Sequence, residues 1–248
     1  MDGILKTLLS GFLKASRLEL LPVRVRGGVA RGALWTLYPW SSYWKGTHEP
    51  AVQRFLLAVG GNDIRGWSCW DLGAHYGIYS VGLAMRVGGA GQVAAFEPNP
   101  LSFARLARHR RLNHLEQLKI FPVAVSDSKR EDDLFTYGSR ESTTTHLRYA
   151  GEQGVGGKPI RVATVRLDDL VRSGDIRRPN FIKIDVEGHA HRALAGARET
   201  LAAAQPIILV ALHNATERDG VTEILGPLGY SMGPLDGAEE FVFRPKGP

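Results

Sequence analysis

The stretch Trp70-Asp71-Leu72-Gly73-Ala74-His75-Tyr76-Gly77 reads as the end of an apolar strand running into a glycine turn and then an amphipathic helix over 78–87. Further along, Phe96-Glu97-Pro98-Asn99 closes a second strand, 92–96, on a carboxylate. Glycines at 73 and 77 permit a tight turn and let a ligand approach main-chain N–H groups at a helix N-terminus. A carboxylate ending the next strand can accept both hydroxyls of a ribose. Together the two segments describe a nucleoside site.

Outward from this point, strand and helix alternate, the signature of an α/β fold with a doubly wound, mostly parallel sheet. Strands are expected at 68–72, 92–96, 118–125, 161–167, 181–186 and 206–212. Helices are expected at 78–87, 101–113, 168–172, 190–204 and 221–228, and a hairpin closes the chain at Phe241-Val242-Phe243. The polar, glycine-containing stretch 132–157, with Ser139, Ser142, Thr143, Thr144 and Thr145, reads as a substrate-facing loop. Residues 1–50 read as an N-terminal extension and 51–248 as the ligand-binding domain. In the extension, Ile4, Leu5, Leu8, Leu9, Phe12 and Leu13 form a helical stripe. That stripe suits docking on this domain or a partner, or weak contact with a membrane surface. Trp35, Tyr38, Trp40, Tyr43 and Trp44 suit either a satellite core or an acceptor pocket or lid.

With 248 residues, 44% hydrophobic and 23% charged, the composition is that of a globular chain, and no apolar run reaches the ~20 residues of a membrane span. A single cysteine, Cys69, excludes an internal disulfide and fits a reducing cytoplasm. The net charge of +6 gathers at Arg105, Arg108, Arg110 and Arg111, with Arg24, Arg26 and Arg31 as a smaller group. A solvated helix face is the plainer reading, and no nucleic-acid partner is expected.

The segment Ile182-Lys183-Ile184-Asp185-Val186-Glu187-Gly188 carries the chemistry. Alternation puts Lys183, Asp185 and Glu187 on one face, at the strand end where doubly wound sheets bind ligands. His213 should reach the same edge and is a further candidate base. Asp185, Glu187, His189 and His191 invite a metal reading, but they span a strand-to-helix transition with poor ligand geometry. No metal ligand is therefore assigned, and a divalent metal is left open. The turn has Asp-x-Gly-x-x-x-Gly in place of the dinucleotide Gly-x-Gly-x-x-Gly. Asp71 would repel a pyrophosphate and suits a ligand with an amino group and a sulfonium, which is S-adenosylmethionine.

Over residues ~43–230 the chain resembles the FkbM family of S-adenosylmethionine-dependent methyltransferases. The resemblance is carried by Lys45-Gly46-Thr47-His48-Glu49-Pro50, 71–80, Phe96-Glu97-Pro98-Asn99-Pro100, Ala124-Val125-Ser126-Asp127, 165–170 and 182–188. It implies a class I methyltransferase, Rossmann-like fold with seven strands, the last antiparallel. It further implies that Glu97, with Pro98 and Asn99, binds the ribose. The turn Gly73, Ala74, His75 and Gly77 would hold the methionyl part, Ala124 to Asp127 would border the adenine, and Glu49 and Asp71 would also bind the cofactor. Members mostly O-methylate sugars or natural products such as polyketides, and some N-methylate peptide amides. The proton acceptor is expected to be Asp185, with Glu187 and His213 as alternatives. A homodimer is compatible with this reading. A non-catalytic Rossmann-like module and an NAD-dependent oxidoreductase are the competing classes. Replacing Gly73 by valine is expected to block the cofactor and leave the protein folded.

Overall fold

The computed structural model describes residues 21–37, 43–136, 145–147, 159–236 and 239–246. The expected helical stripe in 1–20, Tyr38, Trp40 and most of the serine/threonine stretch lie outside the described residues. The chain runs β1 (Pro22–Arg24), β2 (Leu34–Thr36), α1 (Pro50–Ala58), β3 (Ser68–Leu72), α2 (Ile78–Val87), β4 (Gln92–Phe96), α3 (Pro100–Leu112) and β5 (Leu118–Phe121). It continues β6 (Ala124–Val125), β7 (Glu131–Thr136), β8 (Thr145–Leu147), β9 (Ile160–Val165), α4 (Leu167–Arg172) and β10 (Phe181–Ile184). It ends α5 (Ala190–Ala195), α6 (Arg198–Ala204), β11 (Ile207–Ala211), α7 (Ala215–Leu225), β12 (Tyr230–Pro234) and β13 (Glu240–Pro245).

Seven strands form the central sheet in the order β12-β13-β11-β10-β3-β4-β5. The ladders from β11 to β5 are parallel, and β13 enters antiparallel between β11 and β12. Every residue of β3, β4 and β10 is buried, because helices cover both faces and mostly apolar residues fill the strands, with Ser68, Asp71, Gln92 and Lys183 as buried polar exceptions. Alternation sorts them: Cys69, Val93, Ala95 and Phe181 enter one core, and Trp70, Leu72, Ala94, Phe96 and Ile182 the other. Lys183 pairs with Asp71 and Leu72 with Phe96, so the carboxyl ends of β3, β4 and β10 are level.

Several expected elements change. The strand 118–125 divides into β5 in the central sheet and β6, which pairs with β9 in a four-stranded sheet. Pro122 lies between them and lacks the N–H that would continue the ladder. Part of the expected loop 132–157 is strand: β7 pairs antiparallel with β9 and with β8. Its acids disguised it, yet Leu134 points inward and is 2% exposed. The helix 190–204 breaks at Gly196. The Gly196 carbonyl accepts the Asp168 N–H, and the Asp168 carboxylate takes the N–H groups of Glu199 and Thr200, starting α6 afresh. Helix α7 begins six residues before the expected 221 because Asn214 caps it by accepting the Glu217 N–H at 2.8 Å.

The described part of the extension joins the main core. Trp35 is fully buried and stacks on the His109 ring of α3 at 3.6 Å. His109 donates its Nδ1–H to the Tyr76 carbonyl and accepts at Nε2 from the Thr36 N–H and hydroxyl. It is therefore a core residue within the basic run. Arg105 covers the Tyr76 ring and Arg110 bonds the Leu115 carbonyl and Glu116. Trp44 is flanked by Arg26 and Lys45. Among the described residues no helix is long and apolar enough to cross a membrane.

Candidate active site

A pocket of about 220 Å³ opens at the carboxyl ends of β3, β4 and β10. Of the residues expected at the site, Glu49, Gly73, His75, Glu97, Pro98, Ala124, Asp185 and Glu187 line it. Tyr43, His48, Phe96, Val123, Val125, Leu134, Val186 and His189 line it as well.

Glu97 is 5% exposed. Its two oxygens accept the backbone N–H groups of His75 (2.7 Å) and Asn99 (2.8 Å). Burial pushes its carboxyl up to about 7, against the pull of those two N–H groups. Each oxygen keeps a lone pair, so the group can still accept two hydroxyls. The Gly73 and Ala74 N–H groups both donate to the Phe96 carbonyl, locking the turn over the end of β4. Gly73 has φ +82°, and a Cβ there would lie 1.8 Å from the Asp185 carbonyl oxygen. The turn and the end of β10 are therefore in direct contact, and a valine at 73 would collide with backbone. This corrects the expectation of an intact fold in that variant.

Strain gathers at this pocket. Glu49, His75 and Glu187 have φ of 45°, 52° and 48°, an uncommon region for side-chain-bearing residues that costs roughly 1–3 kcal/mol each. Glu49 accepts the Tyr79 hydroxyl and pairs with His48 at 3.2 Å. Burial alone would raise its carboxyl, but these hydrogen bonds and the Lys183 charge bring it to about 2. His75 Nδ1 meets the Tyr43 hydroxyl at 3.0 Å, and burial lowers the ring to about 4, so it is neutral. Lys183 is buried with its ammonium 3.3 Å from Asp185. Burial opposes its charge, yet Asp185, Asp71 and Glu49 together raise its pKa.

His213 lies two residues past the end of β11, beside Asp185 and Glu187. Its Nε2 lies 3.6 Å from Asp185 Oδ1 and 3.3 Å from Glu187 Oε2, and its Nδ1 3.4 Å from Glu217. The Glu217 hydrogen bond raises the imidazole pKa, helped by Glu187 and Asp185 and opposed by burial.

The remaining expected residues stand outside the lining. Asp71 is fully buried beneath the turn and accepts the Ser80 hydroxyl, so its carboxylate does not face the pocket. Ala74 faces the core, and Gly77 starts α2 against Leu106. Asn99 caps α3 through the Leu101 and Ser102 N–H groups. Asp127 is half-exposed between Arg130 and Arg192. His189, on the lining, is engaged with Ser126 Oγ through Nε2, and among the described residues neither it nor His191 joins a ligand group. Tyr43, which the sequence leaves between a satellite core and an acceptor pocket or lid, is on the lining, and so is His48, which the sequence offers only within the 45–50 segment.

The family model for the methyltransferase FkbM domain matches residues 71–238. The chain belongs to the FkbM methyltransferase family. It is 27% identical over 197 residues to the hexuronic acid methyltransferase AglP of Haloferax volcanii, covering 78% of this chain and 75% of that one. It is 30% identical over 122 residues to the 2-O-methyltransferase NoeI of Sinorhizobium fredii, covering 44% and 49%. A crystal structure of an FkbM methyltransferase from Methylobacillus flagellatus superposes with a TM-score of 0.50 at 20% identity, over 72% of this chain and 43% of that one. The fold is thus that of class I methyltransferases, and the enzyme is S-adenosylmethionine-dependent.

The pocket fits that cofactor. The buried Glu97 retains acceptor capacity for a ribose, the Gly73 turn has no side chain in the way, and Phe96, Val123, Val125 and Leu134 offer apolar walls to a base.

Proposed function

We propose that this FkbM enzyme methylates a hydroxyl oxygen of a sugar or natural-product acceptor. The observation that carries the reading is the placement of Asp185, Glu187 and His213 at strand ends beside the Gly73–Glu97 half of the pocket. AglP is a hexuronic acid methyltransferase and NoeI a 2-O-methyltransferase, which supports an oxygen acceptor of sugar type.

S-adenosylmethionine, when bound, supplies a methyl group already activated by sulfonium. The chain's residues then have three tasks. Glu97 would hold the ribose hydroxyls, and the charged Glu49 carboxylate would hold the amino end of the methionyl part. The apolar walls exclude water from the adenine side. Asp185 takes the proton of the acceptor hydroxyl, since an alcohol is a weak nucleophile until that proton leaves. Its Oδ2 is held by Lys183, which leaves Oδ1 for the acceptor.

The test is a methyl-transfer screen against glycosides, natural-product hydroxyls and peptides, read by mass. A gain of one methyl on a glycoside or natural-product oxygen is expected. Transfer confined to peptide amides would replace the oxygen acceptor by nitrogen, and NAD(H) binding without S-adenosylhomocysteine binding would remove the reading altogether.

A further inference from the structure

We propose that Asp185, Glu187 and His213 form a binding site for a divalent cation of the Mg²⁺/Mn²⁺ class at the acceptor end of the pocket. Among the described residues these three form the one group whose ligand atoms all lie within 4.8 Å of one another. The donors are two carboxylate oxygens and one imidazole nitrogen, with no thiolate, which is a set for hard cations. In an octahedron of such a cation, neighbouring donors are separated by about 3 Å. The His213 Nε2 distances of 3.3 Å to Glu187 and 3.6 Å to Asp185 approach that edge before any ion has drawn them in.

A second observation comes from a residue that is no ligand. Glu217 has a fully buried side chain. Its Oε1 accepts the Ala190 N–H at 2.9 Å and its Oε2 the His213 N–H at 2.8 Å, so the carboxylate is fixed. Oε2 also stands 3.4 Å from His213 Nδ1. This assigns the Nδ1 proton to Glu217 and turns Nε2 toward the two carboxylates. Metal-binding histidines are oriented in this way by an outer carboxylate. A lone pair on Nε2 facing two carboxylates is repulsive unless a proton or a cation lies between them. With three carboxylates around one imidazole, even the protonated ring leaves excess negative charge.

Asp185 divides its oxygens accordingly: Oδ2 goes to Lys183 and Oδ1 to the cluster. The cation's use rests on the proposed methyl transfer. Bound there, it would acidify an acceptor hydroxyl, and the released proton would pass to Asp185.

Cation binding is measurable without turnover. The full chain, with S-adenosylhomocysteine present, is titrated with Mn²⁺ while free Mn²⁺ is read by electron paramagnetic resonance. One saturable site per chain is expected, weakened at least tenfold in Asp185→Asn and His213→Gln. Glu217→Gln, which touches no ion, is expected to weaken it by about 10–100-fold. Circular dichroism of each variant confirms folding. Two results overturn the proposal: no saturable Mn²⁺ binding below about 1 mM, or equal Mn²⁺ affinity in wild type and folded Asp185→Asn and His213→Gln. S-adenosylhomocysteine affinity in the same metal-free samples separates the two readings. If it is retained while Mn²⁺ fails to bind, the cation site falls and the methyltransferase pocket stands.

Discussion

Glu97 holds a buried carboxyl raised to about 7 from an ordinary 4.5, and the sign of that shift has two opposite consequences. In the free protein the protonated form fits the fold better. Stability from this group is present below pH 4.5 and is lost as pH rises toward 7, by about 3 kcal/mol. Ribose recognition needs the carboxylate, so cofactor affinity should rise between pH 6 and 8 in wild type. In Glu97→Ala two charge-assisted hydrogen bonds, each worth ~1.5–3 kcal/mol, are gone. Calorimetric titration with S-adenosylhomocysteine should show at least a tenfold loss and a flat pH profile; unchanged affinity would falsify the ribose assignment. Asp185→Asn is nearly isosteric and keeps an acceptor for Lys183. Cofactor affinity should stay within a few-fold while turnover falls by ~10²–10⁴. Wild-type turnover in that variant would move the proton-accepting role to His213. Glu97 and Asp185 were legible because each ends a parallel strand, where register alone fixes position. Asp71 ends a strand too, but it belongs to the central one, and the turn above it seals it from the pocket.

At the scale of elements, the approach of the Gly73 turn to the end of β10 and of Gly196 to the β6 end are backbone-on-backbone contacts. A Cβ at Gly196 would lie 2.1 Å from the Ser126 carbonyl oxygen. Gly196→Ala should therefore lower stability by roughly 1–3 kcal/mol, as overpacking does, with the urea midpoint falling and the slope unchanged. An unaltered midpoint would show that the α5–α6 break adapts freely. The strands and helices around the site followed from apolar runs and glycine turns within a residue or two. Two of the misread elements are decided by a distant partner, whereas the early start of α7 lies with the local Asn214 cap. Helix α6 starts where the Asp168 side chain reaches it, and β7 exists because β9 lies alongside. Neither leaves a local period. Pro122 was a local signal, and it marks where the chain changes sheet.

Across the whole molecule, the family match begins at residue 71, yet the core begins well before it. Val25, Val29, Ala33 and Trp35 are at most 5% exposed and pack in one cluster with Leu56, Tyr79 and Leu83. The segment is also tied by hydrogen bonds: Val29 N–H to Gln53 Oε1 at 2.8 Å, and Leu34 to the Asn113 amide through both its N–H and its carbonyl. Gly82 in α2 would place a Cβ 2.8 Å from the Val29 backbone, so the helix is shaped to this segment. Losing a buried tryptophan side chain alone costs about 3–5 kcal/mol, against a total stability of about 5–15 kcal/mol. A chain starting at Ala51 would lose that side chain, the core residues Val25, Val29, Ala30 and Ala33, and the Tyr43 wall of the pocket together. It should show no cooperative melt by circular dichroism and no S-adenosylhomocysteine binding. Removal of residues 1–20 alone spares all these contacts and should leave cofactor affinity within a few-fold. A cooperative melt and normal affinity in the chain starting at Ala51 would show instead that the portion from residue 51 onward supports itself and that the extension only packs against it.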